Sequence, residues 1–253
     1  MNKVFTKLAP FIAIVIVIGA WHIIAVCMGI PIIVPTPADT ITKMLEVFTT
    51  SAFLRGVANS LLRAFLSFSI AFLLATALAL LSSLSDFFDR FFYPILVLVR
   101  ATPTMSIIFL CLIWFSSKIS PMIVATAVIF PTMYASILTA IKSCDKKLLE
   151  MSAVYNVPTR VKVFKLYLPY VSDKIFSDAV NALSLNLKLI VAAEALAATA
   201  NSLGRLMQNA KANLETATLF AYTVAAIILS YLLEVLLKLL RRLFRRIKYA
   251  KAN

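Results

Sequence analysis

Long apolar runs separated by short polar breaks dominate the chain. Residues 8–28, 61–83, 101–117, 122–141, 171–200 and 216–237 each read as a membrane span, because about 20 apolar residues in a helix cover the roughly 30 Å of a bilayer's hydrocarbon. The first run, LAPFIAIVIVIGAWHIIAVCM, outlasts the roughly 7–15 apolar residues of a signal peptide. Pro31 to Pro37 (PIIVPTP) cannot continue a helix, since proline lacks the N–H and disfavours helix in the residue before it. Ala38 to Thr49 then predicts an amphipathic helix at the outer interface, with Ile41, Met44, Leu45 and Phe48 on one face. The third run is short and follows a second break, Arg100-Ala-Thr-Pro-Thr-Met105. The expected fold is all-α: one polytopic membrane domain of about six transmembrane helices.

The exception is residues 142–170, a polar segment among apolar ones. Lys142 to Pro169 carries six Lys or Arg and two short helix-like pieces broken at Asn156-Val157-Pro158. Composition agrees with a membrane chain, at 62% hydrophobic and 14% charged, against about 25% charged for a soluble domain. The net charge of +14 could suggest a nucleic-acid partner, but its placement argues against one. Residues 1–8, 83–100, 142–170 and 238–253 hold 17 Lys or Arg, and the alternate connections hold 6. By the positive-inside rule the first set is cytoplasmic, with both termini and the polar segment on that side. The seven basic residues of the 238–253 tail suit contact with anionic membrane lipid.

The fifth run has unusual content for a span, including Asp173, Lys174, Asp178, Asn181, Asn186, Lys188 and Glu194. An ionisable residue at membrane depth costs a few kcal/mol or more and normally faces a partner or a wet cavity. Asn186, Lys188 and Glu194 are therefore translocation-pathway candidates. Lys188 and Glu194 are six apart, roughly 600° around a helix, so they form no same-face pair. Two roles stay open for Glu194: touching a solute, or orienting a loop at the outer mouth. Thr102 and Pro103 either line the pathway or simply break the start of a span. Cys27, Cys111 and Cys144 are scattered, which gives neither a disulfide framework nor a metal site. The chain carries no Walker motif, so no ATP hydrolysis of its own is expected.

Glu150, Asn156 and Pro169 stand at offsets 0, +6 and +19. This resembles the cytoplasmic signature of binding-protein-dependent ABC importer permeases, Glu-Ala-Ala-x3-Gly-x9-Ile-x-Leu-Pro. Here it reads Glu150-Met151-Ser152-x3-Asn156-x9-Leu166-Tyr-Leu168-Pro169. Asn156 replaces the glycine, and a turn between two short helices that needs a left-handed residue takes Asn as the best substitute. Other segments resemble the nitrate, sulfonate, taurine and pyrimidine-precursor permeases in order. They are Val34-Pro-Thr-Pro37, Ser60-Leu-Leu-Arg63, Arg100-Ala-Thr-Pro103, Leu112-Ile-Trp114-Phe115, Ile190-Val-Ala-Ala-Glu194 and Ser202-Leu-Gly204. Departures include Leu187 where those permeases usually carry tryptophan, and Ser116 in place of a glycine.

The resemblance implies a type I ABC importer permease fold and a subunit without catalytic residues. It implies that Glu150, Met151, Ser152, Asn156, Val157, Pro158, Leu168 and Pro169 belong to a coupling loop gripped by two ABC ATPase subunits. ATP and Mg would then bind in those partners, with no cofactor on this chain. It further implies a second permease copy, most simply as a homodimer, and a periplasmic or lipid-anchored binding protein. The solute class implied is a small organic anion or a vitamin-precursor heterocycle. A competing reading is a secondary transporter or channel without an ATPase, which predicts internal repeats between halves, and none is visible. A membrane-embedded enzyme would want clustered His, Asp or Glu at depth, and the chain has one histidine, His22.

Overall fold

The computed structural model describes residues 3–144, 150–152, 154–163 and 168–250, which are helical almost throughout, with no strand among them. Residues 145–149, 153 and 164–167 of the basic segment, Leu166 of the signature included, lie outside the described residues. The helices are α1 (Lys3–Met28), α2 (Pro37–Phe48), α3 (Ser51–Leu84), α4 (Asp86–Ala101), α5 (Thr104–Trp114) and α6 (Ser120–Lys142). After the basic segment come α7 (Leu168–Leu196), α8 (Leu203–Ala212) and α9 (Thr216–Ala250).

The bundle centres on α3, which packs along both α6 and α7. One face of α3 is built from small residues three or four apart: Gly56, Ser60, Ala64, Ser67, Ala71, Ala75, Ala79 and Ser82, all buried. Lipid tails are as apolar as leucine side chains, so spans associate through close van der Waals packing and interhelical hydrogen bonds, and small residues permit that approach. Against this stripe α6 presents Ile129, Met133 and Ile137, each at most 1% exposed. Tyr134 and Ser82 share a 2.6 Å hydrogen bond between the two helices.

Several elements differ from the expectations above. The second span begins ten residues early, because Thr50 caps α3 by accepting from Phe53 N–H. The third run does not cross alone. α5 has 11 residues, about 16 Å at 1.5 Å per residue, and reaches span length only together with α4, from which it bends by 93°. The break is at Thr102-Pro103, where Pro103 has no N–H to donate and holds Thr102 extended (ψ 124°). α2 begins with a capping box between Thr36 and Asp39 but is rotated from the expected face. Thr40 and Val47 are buried, whereas Ile41 and Leu45 are 55% and 65% exposed. The reason is that α2 packs on α9, which leaves Ile41 and Leu45 turned outward.

Pro31 to Pro37 is pinned rather than loose. Trp21 Nε1 donates to Pro35 O at 3.0 Å and Thr216 Oγ1 to Pro31 O at 3.1 Å, so the break joins α1 to the start of α9. α1 otherwise lies largely outside the bundle, with 6% of its apolar window buried.

Candidate functional site

The α7 candidates separate by rotation about the helix axis. Asn186 and Glu194 are both fully buried, whereas Lys188 is exposed. Two residues along an α-helix are roughly 200° apart, so Asn186 and Lys188 must point to opposite sides.

Glu194 is the centre of a polar node at the end of α7. Arg63 Nη1 donates to its Oε1 at 2.7 Å, and Ser60 Oγ donates to its Oε2 at 2.6 Å. Gly204 N–H points at the same Oε2 at 3.4 Å, and Leu203 N–H donates to Ser60 Oγ at 3.0 Å. The first N–H groups of a helix have no partner within it, and a carboxylate suits the positive end of its dipole. Glu194 and Ser60 therefore satisfy the start of α8 from two other helices, while Ser202 caps α8 locally by accepting from Arg205 N–H. Gly204 is required for this approach. A Cβ there would lie 2.3 Å from Val191 O, 2.5 Å from Ala195 N and 2.6 Å from Glu194 Cβ.

The surrounding loop is fastened to the same node. Asn59 Nδ2 donates to Asn201 O at 3.0 Å, and Thr199 Oγ1 to Ser117 O at 2.7 Å. Of the two roles open for Glu194, the geometry supports loop orientation: the carboxylate faces Arg63, Ser60 and α8 and is 0% exposed. Arg63 and Ser60 are its partners from α3, three apart in an otherwise apolar stretch of the chain, and their pairing with Glu194 has no signal in the local sequence.

Asn186 faces α3. Its Nδ2 donates to Ala64 O at 2.6 Å and to Ser67 Oγ at 2.9 Å, while Oδ1 is buried without a partner. It locks α7 to the small-residue stripe and lies on the bundle side of the helix. Thr102 and Pro103 are exposed at the α4–α5 bend, and the Thr102 hydroxyl returns to Leu98 O at 2.9 Å.

At the other end of the bundle, Lys142 closes α6 with a 2.5 Å ion pair to Asp89 of α4. In the basic segment that follows, Glu150, Met151, Ser152 and Val154 are helical, and Tyr155 and Asn156 form a turn. Asn156 takes φ +50°, and Val157 N–H bonds to Ser152 O at 3.0 Å. This is the 6→1 bond of a helix ended by a left-handed residue, with Pro158 following where a helix cannot continue. One further helical turn spans Thr159–Val161, and Leu168 and Pro169 begin α7. Val154 and Tyr155, each 77% exposed, and Met151, 54% exposed, project apolar surface from this polar segment.

Residues 71–246 match the family described as Binding-protein-dependent transport system inner membrane component. The chain belongs to that family. Its relatives include the putative aliphatic sulfonates transport permease proteins SsuC of Escherichia coli (strain K12) and Bacillus subtilis (strain 168). The first is 26% identical over 90% of this chain and 86% of the relative, the second 24% over 86% and 79%. The formylaminopyrimidine transport permease protein ThiX of Halalkalibacterium halodurans is 20% identical over 67% of this chain and 68% of its own. The fold is similar to that of the inward-facing MetNI methionine ABC transporter, with a TM-score of 0.67 at 16% identity over 76% of this chain and 95% of the other. An amino acid ABC transporter solved with histidines gives 0.64 at 16% identity, over 79% and 96%.

The protein is thus a multi-span permease subunit of an ABC importer for small solutes. In the permease, the Glu194 node and the Asn156 turn lie at opposite ends of the same helical bundle. Among the described residues no three His, Cys, Asp or Glu side chains converge as a metal site.

Proposed function

We propose that the permease works as a pair of copies enclosing a pathway along the exposed faces of their α7 helices. Two ATPase subunits, which would bind the ATP and Mg, grip residues 142–170 from the cytoplasm. An extracytoplasmic binding protein delivers solute at the end of the bundle that holds the Glu194 node. Both termini are cytoplasmic in this arrangement, in accord with the 17 Lys or Arg of residues 1–8, 83–100, 142–170 and 238–253. The solute is either a sulfonate-like organic anion or a pyrimidine-type vitamin precursor, a reading supported by what the relatives are named for.

One observation carries this reading. Glu150, Met151, Val154 and Tyr155 stand exposed on a turn held by a left-handed Asn156, in a segment whose residues 150 and 156 keep the signature spacing. Apolar side chains on a polar loop outside the bilayer suit a protein partner that covers them. Movement of that partner on ATP binding would pass along α6 and α7, which flank the segment. Substituting Glu150→Ala tests the coupling. The expected result is loss of ATP-driven uptake with the chain still present in the membrane at its normal level. Unchanged uptake would show that this segment does not couple.

A further inference from the structure

The exposed face of α7 carries Lys174, Ser177, Asn181, Lys188 and Ala192, spaced three, four or seven apart and so aligned along one side of the helix. Lys188 is eight residues from Leu196, the end of the 23-residue span, or about 12 Å along the axis. A lysine side chain cannot reach the membrane surface from that depth without distortion, and a bare ammonium there is costly. The ion pairs among the described residues are Lys43–Glu46, Arg63–Glu194, Lys142–Asp89 and Lys238–Glu234. Lys188 is in none of them. A second copy brings no free carboxylate at this depth, since Glu194 is occupied by Arg63 and Ser60, and Asp178 accepts from Ser136 Oγ.

Lys188 also stands at the wall of a cavity of about 320 Å³ between α7, α8 and α9. The wall is almost wholly apolar, built from Val191, Ala195 and Met207, and the Thr223 hydroxyl beside it is turned back to Leu219 O at 2.8 Å. One unpaired cation beside an apolar wall of this volume fits a small solute with one anionic end. Building on the permease reading, we propose that Lys188 is the solute-selecting cation of the pathway and that the transported solute carries an oxyanion group, as a sulfonate, carboxylate or phosphate does. This separates Lys188 from Asn186 and Glu194, whose polar atoms face the bundle. It also favours the anion over the neutral heterocycle.

The test uses the assembled transporter in inside-out membrane vesicles, with Cys27→Ser to remove the exposed native thiol and Asn181→Cys to place a reporter. Asn181 and Lys188 are seven residues apart, about 10 Å along the helix. The probes are the anionic sulfonatoethyl and cationic trimethylammonioethyl methanethiosulfonates, with rates normalised to those of a small free thiol. Across that distance one lysine should favour the anionic reagent by about ten-fold. Lys174 lies equally far from position 181 on the same face, so the preference should persist in Lys188→Arg and fall by that ten-fold share, rather than vanish, in Lys188→Gln. Failure of both reagents to label Cys at position 181 would mean the face is covered, and a ratio unchanged by Lys188→Gln would mean the charge is not in the pathway. Either result overturns the proposal. Absence of ATPase subunits from the same vesicles would instead sink the permease–ATPase arrangement, whatever the ratio.

Discussion

Separating Arg63 from Glu194 should cost far more than a surface ion pair would. Glu194 is 0% exposed and Arg63 12%, and leaving one partner of a buried pair alone costs about 3–5 kcal/mol. The slight exposure of Arg63 lets water reach part of its guanidinium, so Glu194→Leu should lie near the lower end, about 3 kcal/mol. Arg63→Met strands the carboxylate instead, and should cost at least as much. The double variant removes both charges, and apolar replacements of a buried pair are often near neutral. What remains is the N–H of Gly204, already long at 3.4 Å, and the O–H of Ser60, which can turn to a carbonyl of its own helix, together about 1 kcal/mol, while Leu203 N–H keeps Ser60 Oγ. For a chain of this size about 1 kcal/mol moves the unfolding midpoint by roughly 2–4 °C. Tryptophan-fluorescence melting in detergent should therefore show each single variant lower by about 6–12 °C and the double variant by only about 2–4 °C. Additive losses, or a Glu194→Leu shift under about 2 °C, would refute a buried and mutually dependent pair.

Other substitutions probe the same two ends of the bundle. Gly204→Ala forces a Cβ to within 2.3 Å of Val191 O, so it should destabilise by about 3 kcal/mol or more and lower the amount of folded permease recovered in detergent. Asn156→Gly should preserve the turn and ATP-driven uptake. Asn156→Val puts a β-branched residue at φ +50°, costs about 1–2 kcal/mol locally, and should reduce uptake without changing the melting midpoint of the membrane bundle.

Much of this arrangement is legible along the chain, for reasons that differ by element. Span positions follow from run length, and the breaks at Pro35 and Pro103 follow from proline's missing N–H. The left-handed Asn156 follows from the need for a turn where glycine is absent. Asn186 and Lys188 facing opposite ways also follows from helix geometry, since two residues turn the helix by about 200°. The Glu194 node is different, because its partners Ser60 and Arg63 lie 134 and 131 residues away, and no local period reports that distance. The covered face of α2 is hidden in the sequence for a related reason: Ile41 and Leu45 are as apolar as Val47, and only contact with α9 decides which of them is covered. The bend between α4 and α5 has a local cause in Pro103, but its 93° angle depends on how both helices pack.

The central claim is that an ATPase grips the turn around Asn156. It is tested most directly by purifying the tagged chain from its native membrane in mild detergent and measuring ATP hydrolysis in the eluate, with Tyr155→Asp as the paired variant. Tyr155 is 77% exposed, so the substitution leaves the bundle's packing alone while placing a charge on the proposed contact. The account predicts that the wild-type chain brings down an ATP-hydrolysing subunit and that the variant, equally well folded, brings down little or none. A chain that purifies without any ATPase, or a variant that retains it in full, would contradict the account.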